Sequence, residues 1–143
     1  MPSPGVATYD QKPQMSAVEI TKEVLKAVNS GQFDFIIVNF ANGDMVAHTG
    51  QLKAAIMAVE TVDKSLGEIV EVVNNQNGTV VVTADHGNAE EMLTFPTHSF
   101  FFTTSTGKLN TEHSNNPVPF LIISNKYLGQ NIKLPQVSII YCT

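Results

Sequence analysis

The sequence predicts an α/β domain in which a layered sheet of mainly parallel strands is flanked by helices. Two observations support this fold class. Stretches with helical spacing of apolar residues alternate along the chain with short, almost continuous apolar runs. Continuous apolarity is typical of strands that are covered on both faces, as in a parallel sheet. Alternation of helix and strand favours right-handed crossovers, and 143 residues match one ordinary domain.

The first helix is predicted over residues 17–29, after a connector at residues 1–16. The connector is rich in proline and has no apolar period. Ser16 and Glu19 have the spacing of a capping box, in which the hydroxyl accepts a helical amide and the carboxylate reaches back. Apolar residues then recur at helical spacing, and Gly31 supplies the stop. Residues 17–143 are predicted to form the domain itself.

Three strands and a long helix are predicted after Gly31. The first strand spans residues 33–40, and a helix of several turns follows over residues 52–73. A second buried-type strand spans residues 79–84, and a third spans 118–123. The linker before the third strand has no convincing crossover helix, so this strand can run antiparallel to the others.

Composition and charge exclude several classes of protein. Eight basic and thirteen acidic residues give a net charge of −5, which disfavours binding to nucleic acid. The single cysteine, Cys142, excludes an intramolecular disulfide framework and a cysteine-based zinc finger. No apolar run approaches the roughly 20 residues that span a bilayer, and no signal peptide is recognisable. We therefore expect a soluble protein of the cytoplasm, without a membrane or nucleic-acid partner.

Polar loops next to the predicted strands carry three of the four histidines. Asp44 and His48 follow the first strand and are four residues apart, so one helical turn places them on the same face. His113 precedes the third strand, and an antiparallel third strand would bring its loop to the same sheet edge. A carboxylate and imidazoles so placed can bind Mn²⁺, Zn²⁺ or iron, and suit Ca²⁺ poorly. Asp85 and His86, after the second strand, can serve a second ion.

Structural readings of the same residues stay open. Asp85 can cap the next segment, and His86 can be a partly buried, hydrogen-bonded histidine. His113 can stabilise the turn before Pro117. His98 has no candidate partner and is interpreted as structural, and the three phenylalanines at 100–102 as core or an interface patch.

Four segments of the chain are distinctive: ATYDQKPQMSA at 7–17, VNFANGDMVAHTG at 38–50, TADHGNAEEM at 83–92 and HSNNPVPF at 113–120. Together they resemble the carboxy-terminal part of the cofactor-independent phosphoglycerate mutases, which belong to the alkaline phosphatase superfamily. The resemblance implies an alkaline phosphatase-like fold, here incomplete, and a glycolytic isomerase that interconverts 3-phosphoglycerate and 2-phosphoglycerate. That family uses two Mn²⁺ ions and a phosphoserine intermediate, and needs no 2,3-bisphosphoglycerate.

Carried over by motif, the resemblance implies two sets of metal ligands. Asp44, His48 and His113 would hold one ion, and Asp85 and His86 the second. The nucleophilic serine and the substrate-binding side chains of the family lie in upstream segments that this chain lacks. We therefore expect this chain alone to be inactive, to supply metal ligands without a nucleophile, and to self-associate through exposed sheet edge and apolar surface.

Two other functions stay open. One is a different metalloenzyme of the same superfamily, such as a phosphopentomutase or a phosphohydrolase. The other is a non-catalytic, metal-binding remnant that has kept the ligand loops.

Overall fold

The computed structural model describes residues 2–94 and 107–130 and contains helices and short strands. Three-residue 3-10 turns lie at Tyr9–Gln11, Ala89–Glu91 and Asn125–Tyr127. The helices and strands, in chain order, are α1 (Ala17–Ser30), α2 (Asn42–Ala47), α3 (Leu52–Asn75), β1 (Val80–Thr83), β2 (Leu93–Thr94), β3 (Lys108–Leu109) and β4 (Phe120–Ile123).

The two long helices lie close to the predicted bounds, and the end of α1 is as predicted. Gly31 follows α1 in the left-handed conformation, with φ of 62°, which glycine adopts without steric cost. The predicted capping box is wrong. Ser16 precedes the helix, but its hydroxyl donates to the carbonyl of Pro2 at 2.8 Å and accepts no helical amide. The hydroxyl therefore fastens the start of the chain to α1.

The main core lies where α2 packs against α3. Val46 and Ala47 of α2 are fully buried, and so is Ala58 of α3. Met15 and Met92 complete this apolar cluster, with Ala54 and Ala55. Alanines on the contact face let the two helix axes approach closely, because little side chain separates them. This contact fixes the position of α2, the short helix that contains Asp44 and ends just before His48.

The sheets differ from the predicted architecture. β4 pairs with β1 and runs antiparallel to it, with Val80 opposite Ile123 and Thr83 opposite Phe120. β2 and β3 form a second antiparallel pair. Within residues 2–94 and 107–130, no two strands pair in parallel. The described residues therefore form a mixed helix and strand structure, and the mainly parallel layering of the prediction is not observed.

The predicted strand at residues 33–40 is wrong for the structure described here. These residues form neither helix nor strand. Phe33, Phe35 and Ile37 are 60%, 79% and 80% exposed, whereas Ile36 and Val38 are partly buried. This alternation is what a strand shows, but a strand also needs a neighbour for its backbone hydrogen bonds. No such neighbour lies among the described residues.

The antiparallel pairing of β1 and β4 determines where the polar loops lie. β1 ends at Thr83, which is opposite Phe120 at the start of β4. The loop after β1 and the loop before β4 therefore leave the sheet at the same end. An isolated antiparallel bridge joins them at Gly87 and Ser114, where the Ser114 amide donates to the Gly87 carbonyl at 2.8 Å.

Some predictions concern residues outside the described ranges. His98, the phenylalanines at 100–102 and Cys142 are among these, so their structural interpretations stay predictions. None of the described helices combines the length and the apolar character that crossing a bilayer requires.

Candidate metal centre

Asp44 is held in place by the anchoring of α2 at its first residue. Asn42 is almost fully buried, and its amide donates to the carbonyls of Pro13 and Gln14 at 2.9 and 2.8 Å. At the other end of α2, the His48 amide donates to the Asp44 carbonyl at 3.1 Å. The helical turn between these two residues places both side chains on one face, as their spacing predicts.

The carboxylate of Asp44 and the imidazoles of His48 and His113 form a small triangle. Asp44 Oδ1 lies 3.1 Å from His48 Nε2 and 3.2 Å from His113 Nε2. The two Nε2 atoms are 3.2 Å apart. Ligands bound at about 2.1 Å to one ion, with tetrahedral or octahedral angles, lie about 3.0–3.4 Å apart. The three atoms therefore have the separations that one shared cation requires.

The tautomer of His48 is set by a backbone carbonyl. His48 Nδ1 lies 2.6 Å from the carbonyl oxygen of Thr111, which can only accept, so Nδ1 carries the proton. In the neutral ring, Nε2 then presents a lone pair toward Asp44 Oδ1, itself an acceptor. Two acceptors at this distance repel each other unless a positive charge lies between them. Either a proton on Nε2 or a metal ion satisfies this arrangement.

His86 lies beside the triangle and stacks on His113. The ring centroids are 3.6 Å apart with an interplanar angle of 19°. His86 Nδ1 is buried, has no hydrogen-bond partner among the described residues, and lies 4.0 Å from Asp44 Oδ1. Ligand atoms of Asp44, His86 and His113 all lie within 4.8 Å of one another. A buried ring nitrogen facing a carboxylate without a donor between them fits a bound cation.

Asp85 stands apart from these residues. Its side chain is 86% exposed, and Oδ1 accepts from the His86 amide at 3.1 Å. Asp85 Oδ2 lies 3.6 Å from His86 Nε2. The other nitrogen of that ring, Nδ1, faces Asp44 instead, at 4.0 Å from Oδ1. The structure therefore brings Asp44, His48, His86 and His113 together, with Asp85 at the outer edge.

Asn88 is a contact of the site that the sequence reasoning missed. It is buried, and its amide donates to Asp44 Oδ1 at 2.6 Å. The same nitrogen lies 3.4 Å from His48 Nε2. The amide dipole therefore orients the Asp44 carboxylate. Its position in the loop after β1 was the available signal, since that loop also carries His86.

Glu90 is a second residue missed in the sequence. Its carboxylate accepts hydrogen bonds from the backbone amide of Asn88 at 2.7 Å, from the Ser114 hydroxyl, and from the side-chain amide of Asn116 at 3.1 Å. Partial burial raises the pKa of Glu90, but hydrogen bonds from Ser114, the backbone and Asn116 outweigh this and hold that pKa below its ordinary value. The charged form is therefore the one that the site favours.

The chain matches one protein family and a set of longer relatives. Residues 1–138 match the metalloenzyme superfamily. The 2,3-bisphosphoglycerate-independent phosphoglycerate mutase of Clostridioides difficile (strain 630) is 50% identical over 127 residues, which are 89% of this chain and 23% of the relative. The corresponding mutase of Clostridium acetobutylicum is 53% identical over 123 residues, 86% of this chain and 22% of the relative.

A crystal structure of Leishmania mexicana phosphoglycerate mutase at low cobalt concentration is similar as well. The match has a TM-score of 0.76 and 40% identity, and it covers 85% of this chain and 22% of that one. The chain thus spans about a quarter of the length of the curated relatives that it matches. The predicted resemblance to cofactor-independent phosphoglycerate mutases is confirmed. The chain belongs to the metalloenzyme superfamily.

Proposed function

We propose that this chain is the metal-binding part of a phosphoglycerate mutase that interconverts 3-phosphoglycerate and 2-phosphoglycerate. The observation that carries the proposal is the triangle of Asp44, His48 and His113, within a chain about half identical to proteins of that name. The reaction is a step of glycolysis, so the proposal places the protein in the cytoplasm.

The ligands divide into two sets in this proposal. Asp44 Oδ1, His48 Nε2 and His113 Nε2 hold one divalent ion, for which Mn²⁺ suits the mixed carboxylate and imidazole donors. Asp85 and His86 contribute to a second ion through Oδ2 and Nε2, which are 3.6 Å apart. The similar Leishmania mexicana phosphoglycerate mutase was crystallised at low cobalt concentration, and cobalt, like manganese, is a transition metal.

When bound, divalent ions would neutralise the negative charge of phosphate oxygens and lower the pKa of a nucleophilic hydroxyl group. The residues of this chain contribute positioning. The Thr111 carbonyl holds the proton of His48 on Nδ1, which leaves Nε2 free to bind a metal. Asn88 orients the carboxylate of Asp44. Because metal ligands must be deprotonated to bind, affinity for the metal should fall at low pH.

A chimera tests the proposed activity. The segment of the Clostridium acetobutylicum mutase that aligns with this chain is replaced by the residues of this chain, and conversion of 3-phosphoglycerate is followed by a coupled assay. We expect the chimera to be active with Mn²⁺ and the Asp44→Asn chimera to be inactive. Asp63→Asn, an exposed aspartate on α3, is the matched control. A folded chimera without activity contradicts the proposal.

The isolated chain should show no turnover, because the resemblance assigns it no nucleophile. Conversion of 3-phosphoglycerate by the purified 143-residue chain would overturn this part of the proposal. A substrate panel with the chimera separates the alternatives: preference for a phosphopentose or simple hydrolysis of phosphate monoesters indicates another metalloenzyme of the superfamily. Metal binding without any activity in the chimera indicates a non-catalytic remnant.

A further inference from the structure

Two loops far apart in sequence meet at the metal centre through one carboxylate. Glu90 Oε2 accepts from the backbone amide of Asn88, and Oε1 accepts from the hydroxyl of Ser114 and the amide of Asn116. Asn88 lies two residues from His86, and Ser114 directly follows His113. The Glu90 carboxylate therefore joins the backbone next to His86 to the side chains of the loop that carries His113.

The junction is closely packed. A Cβ atom at Gly87 would collide with Ser114 Oγ and Glu90 Oε1, so any larger residue there would displace these two side chains. The Ser114 amide bonds to the Gly87 carbonyl at 2.8 Å in the same place. Glu91 adds a contact, because its Oε2 accepts from the Asn116 side chain at 3.0 Å. Hydrogen bonds and close packing therefore act on the same two loops.

We propose that Glu90 is a positioning residue of the metal centre: its carboxylate sets the separation of His86 from His113 and, through Asn88, the orientation of Asp44. Glu90 itself does not contact the ligand atoms. The consequence is a site whose donor atoms are arranged before a metal arrives, which reduces the cost of ordering them on binding. The part concerning metal affinity rests on the proposed function, whereas the part concerning loop geometry does not.

A purely local role for Glu90 predicts different behaviour. The hydrogen bond that the Asn88 backbone amide donates to the Glu90 carboxylate resembles the reach-back contact of a capping box at the turn Ala89–Glu91. If this cap were its whole function, removing the Ser114 hydroxyl would leave the histidines unaffected. If Glu90 joins the loops, Ser114→Ala reproduces much of the effect of Glu90→Ala, and the two changes are less than additive.

The first measurement needs no metal. In the metal-free 143-residue chain, NMR records the nuclear Overhauser contact between the ring protons of His86 and His113, whose centroids are 3.6 Å apart. We expect the contact in the wild type and in Glu112→Gln, an exposed carboxylate beside His113 that serves as the matched control. We expect its loss in Glu90→Ala. A contact that persists in Glu90→Ala, or that is absent from the wild type, overturns the inference.

The second measurement is titration with Mn²⁺. Loss of a residue that orients metal ligands typically lowers affinity about 10–100-fold, and we expect a loss of that size for Glu90→Ala. Glu90→Gln keeps one carbonyl acceptor, so its loss should be smaller, and Glu112→Gln should bind as wild type does. Equal affinity in Glu90→Ala and wild type overturns the inference.

The NMR contact and the Mn²⁺ titration test the role of Glu90 and the proposed function separately. If the wild type binds no Mn²⁺, the proposed function fails, and the ring contact still decides the role of Glu90. If circular dichroism shows that Glu90→Ala does not fold, the ring contact in Glu90→Gln and Ser114→Ala decides instead. A normal ring contact in both of these variants overturns the inference.

Discussion

The ligand cluster and the segment at residues 33–40 are opposite cases within one chain. Around Asp44, the chain itself provides partners for key polar groups: Asn88 donates to the carboxylate, and the Thr111 carbonyl accepts from His48. Among the described residues, His86 Nδ1 and Asn88 Oδ1 are buried there without a hydrogen-bond partner. At residues 33–40, Phe35 and Ile37 face solvent, and the backbone forms no sheet. Assembly of the ligand cluster therefore depends on contacts within residues 2–94 and 107–130, whereas no part of those ranges covers Phe35 and Ile37.

The largest expected effect lies in the ligand cluster. His48→Ala and His113→Ala should each lower the affinity for Mn²⁺ by at least about 100-fold. The reason is that loss of a residue that only hydrogen-bonds to a metal ligand already lowers metal affinity about 10–100-fold. Asp85→Ala should cost less, since its carboxylate is 86% exposed and lies outside the triangle. Isothermal titration at neutral pH measures all three. A larger loss for Asp85→Ala than for His48→Ala would contradict the ranking.

The second effect concerns the helix contact that supports the cluster. Ala58→Leu inserts three carbons where α2 meets α3, at a side chain that is fully buried. Overpacking of this kind typically lowers the free energy of unfolding by about 1–3 kcal/mol. Met57→Leu, at a neighbouring position that is 46% exposed, is the control and should change it by less than about 0.5 kcal/mol. Urea unfolding measures both, and equal midpoints would argue against the described packing.

The third effect concerns the uncovered segment. Exposed apolar surface of this kind favours association, so we expect the isolated chain to self-associate. The double variant Phe35→Ser and Ile37→Ser should shift the chain toward monomer in sedimentation velocity while its affinity for Mn²⁺ stays unchanged. Val18→Ser, on the surface of α1 and 46% exposed, is the control. An unchanged distribution of species in the double variant would show that this segment does not mediate association.

The smallest effect is a pH dependence at Glu90. Because its folded-state pKa is lowered from 4.5, ionised Glu90 stabilises the folded state above pH 4.5, and this contribution is lost as pH falls through the folded-state pKa. The stability difference between wild type and Glu90→Gln should therefore be full near neutral pH and shrink below pH 4.5. Thermal unfolding at a series of pH values measures this. A difference that grows on acidification has the wrong sign.

The sequence predicted much of the local structure, because apolar periodicity reports which face of an element is buried. The helices α1 and α3 and the strands β1 and β4 lie close to their predicted positions. The same pattern was misleading at residues 33–40. Periodicity indicates that a segment is suited to burial, but it does not specify which part of a protein covers it.

The candidate site was predictable only in part. The spacing of Asp44 and His48 and the position of His113 before a strand carried enough information to bring these residues together. Asn88 and Glu90 were missed because their partners, Asp44 in α2 and Ser114 in the loop before β4, are distant in sequence. The contact of Glu90 with Ser114 follows from the register of β1 and β4, which no local pattern states.

Anomalous diffraction from crystals grown with Mn²⁺ shows whether Asp44, His48 and His113 hold a metal ion. We predict a manganese peak about 2.1 Å from each of three atoms, Asp44 Oδ1, His48 Nε2 and His113 Nε2. If these three atoms stay in contact with one another at saturating Mn²⁺ and no peak lies between them, the triangle does not bind the metal.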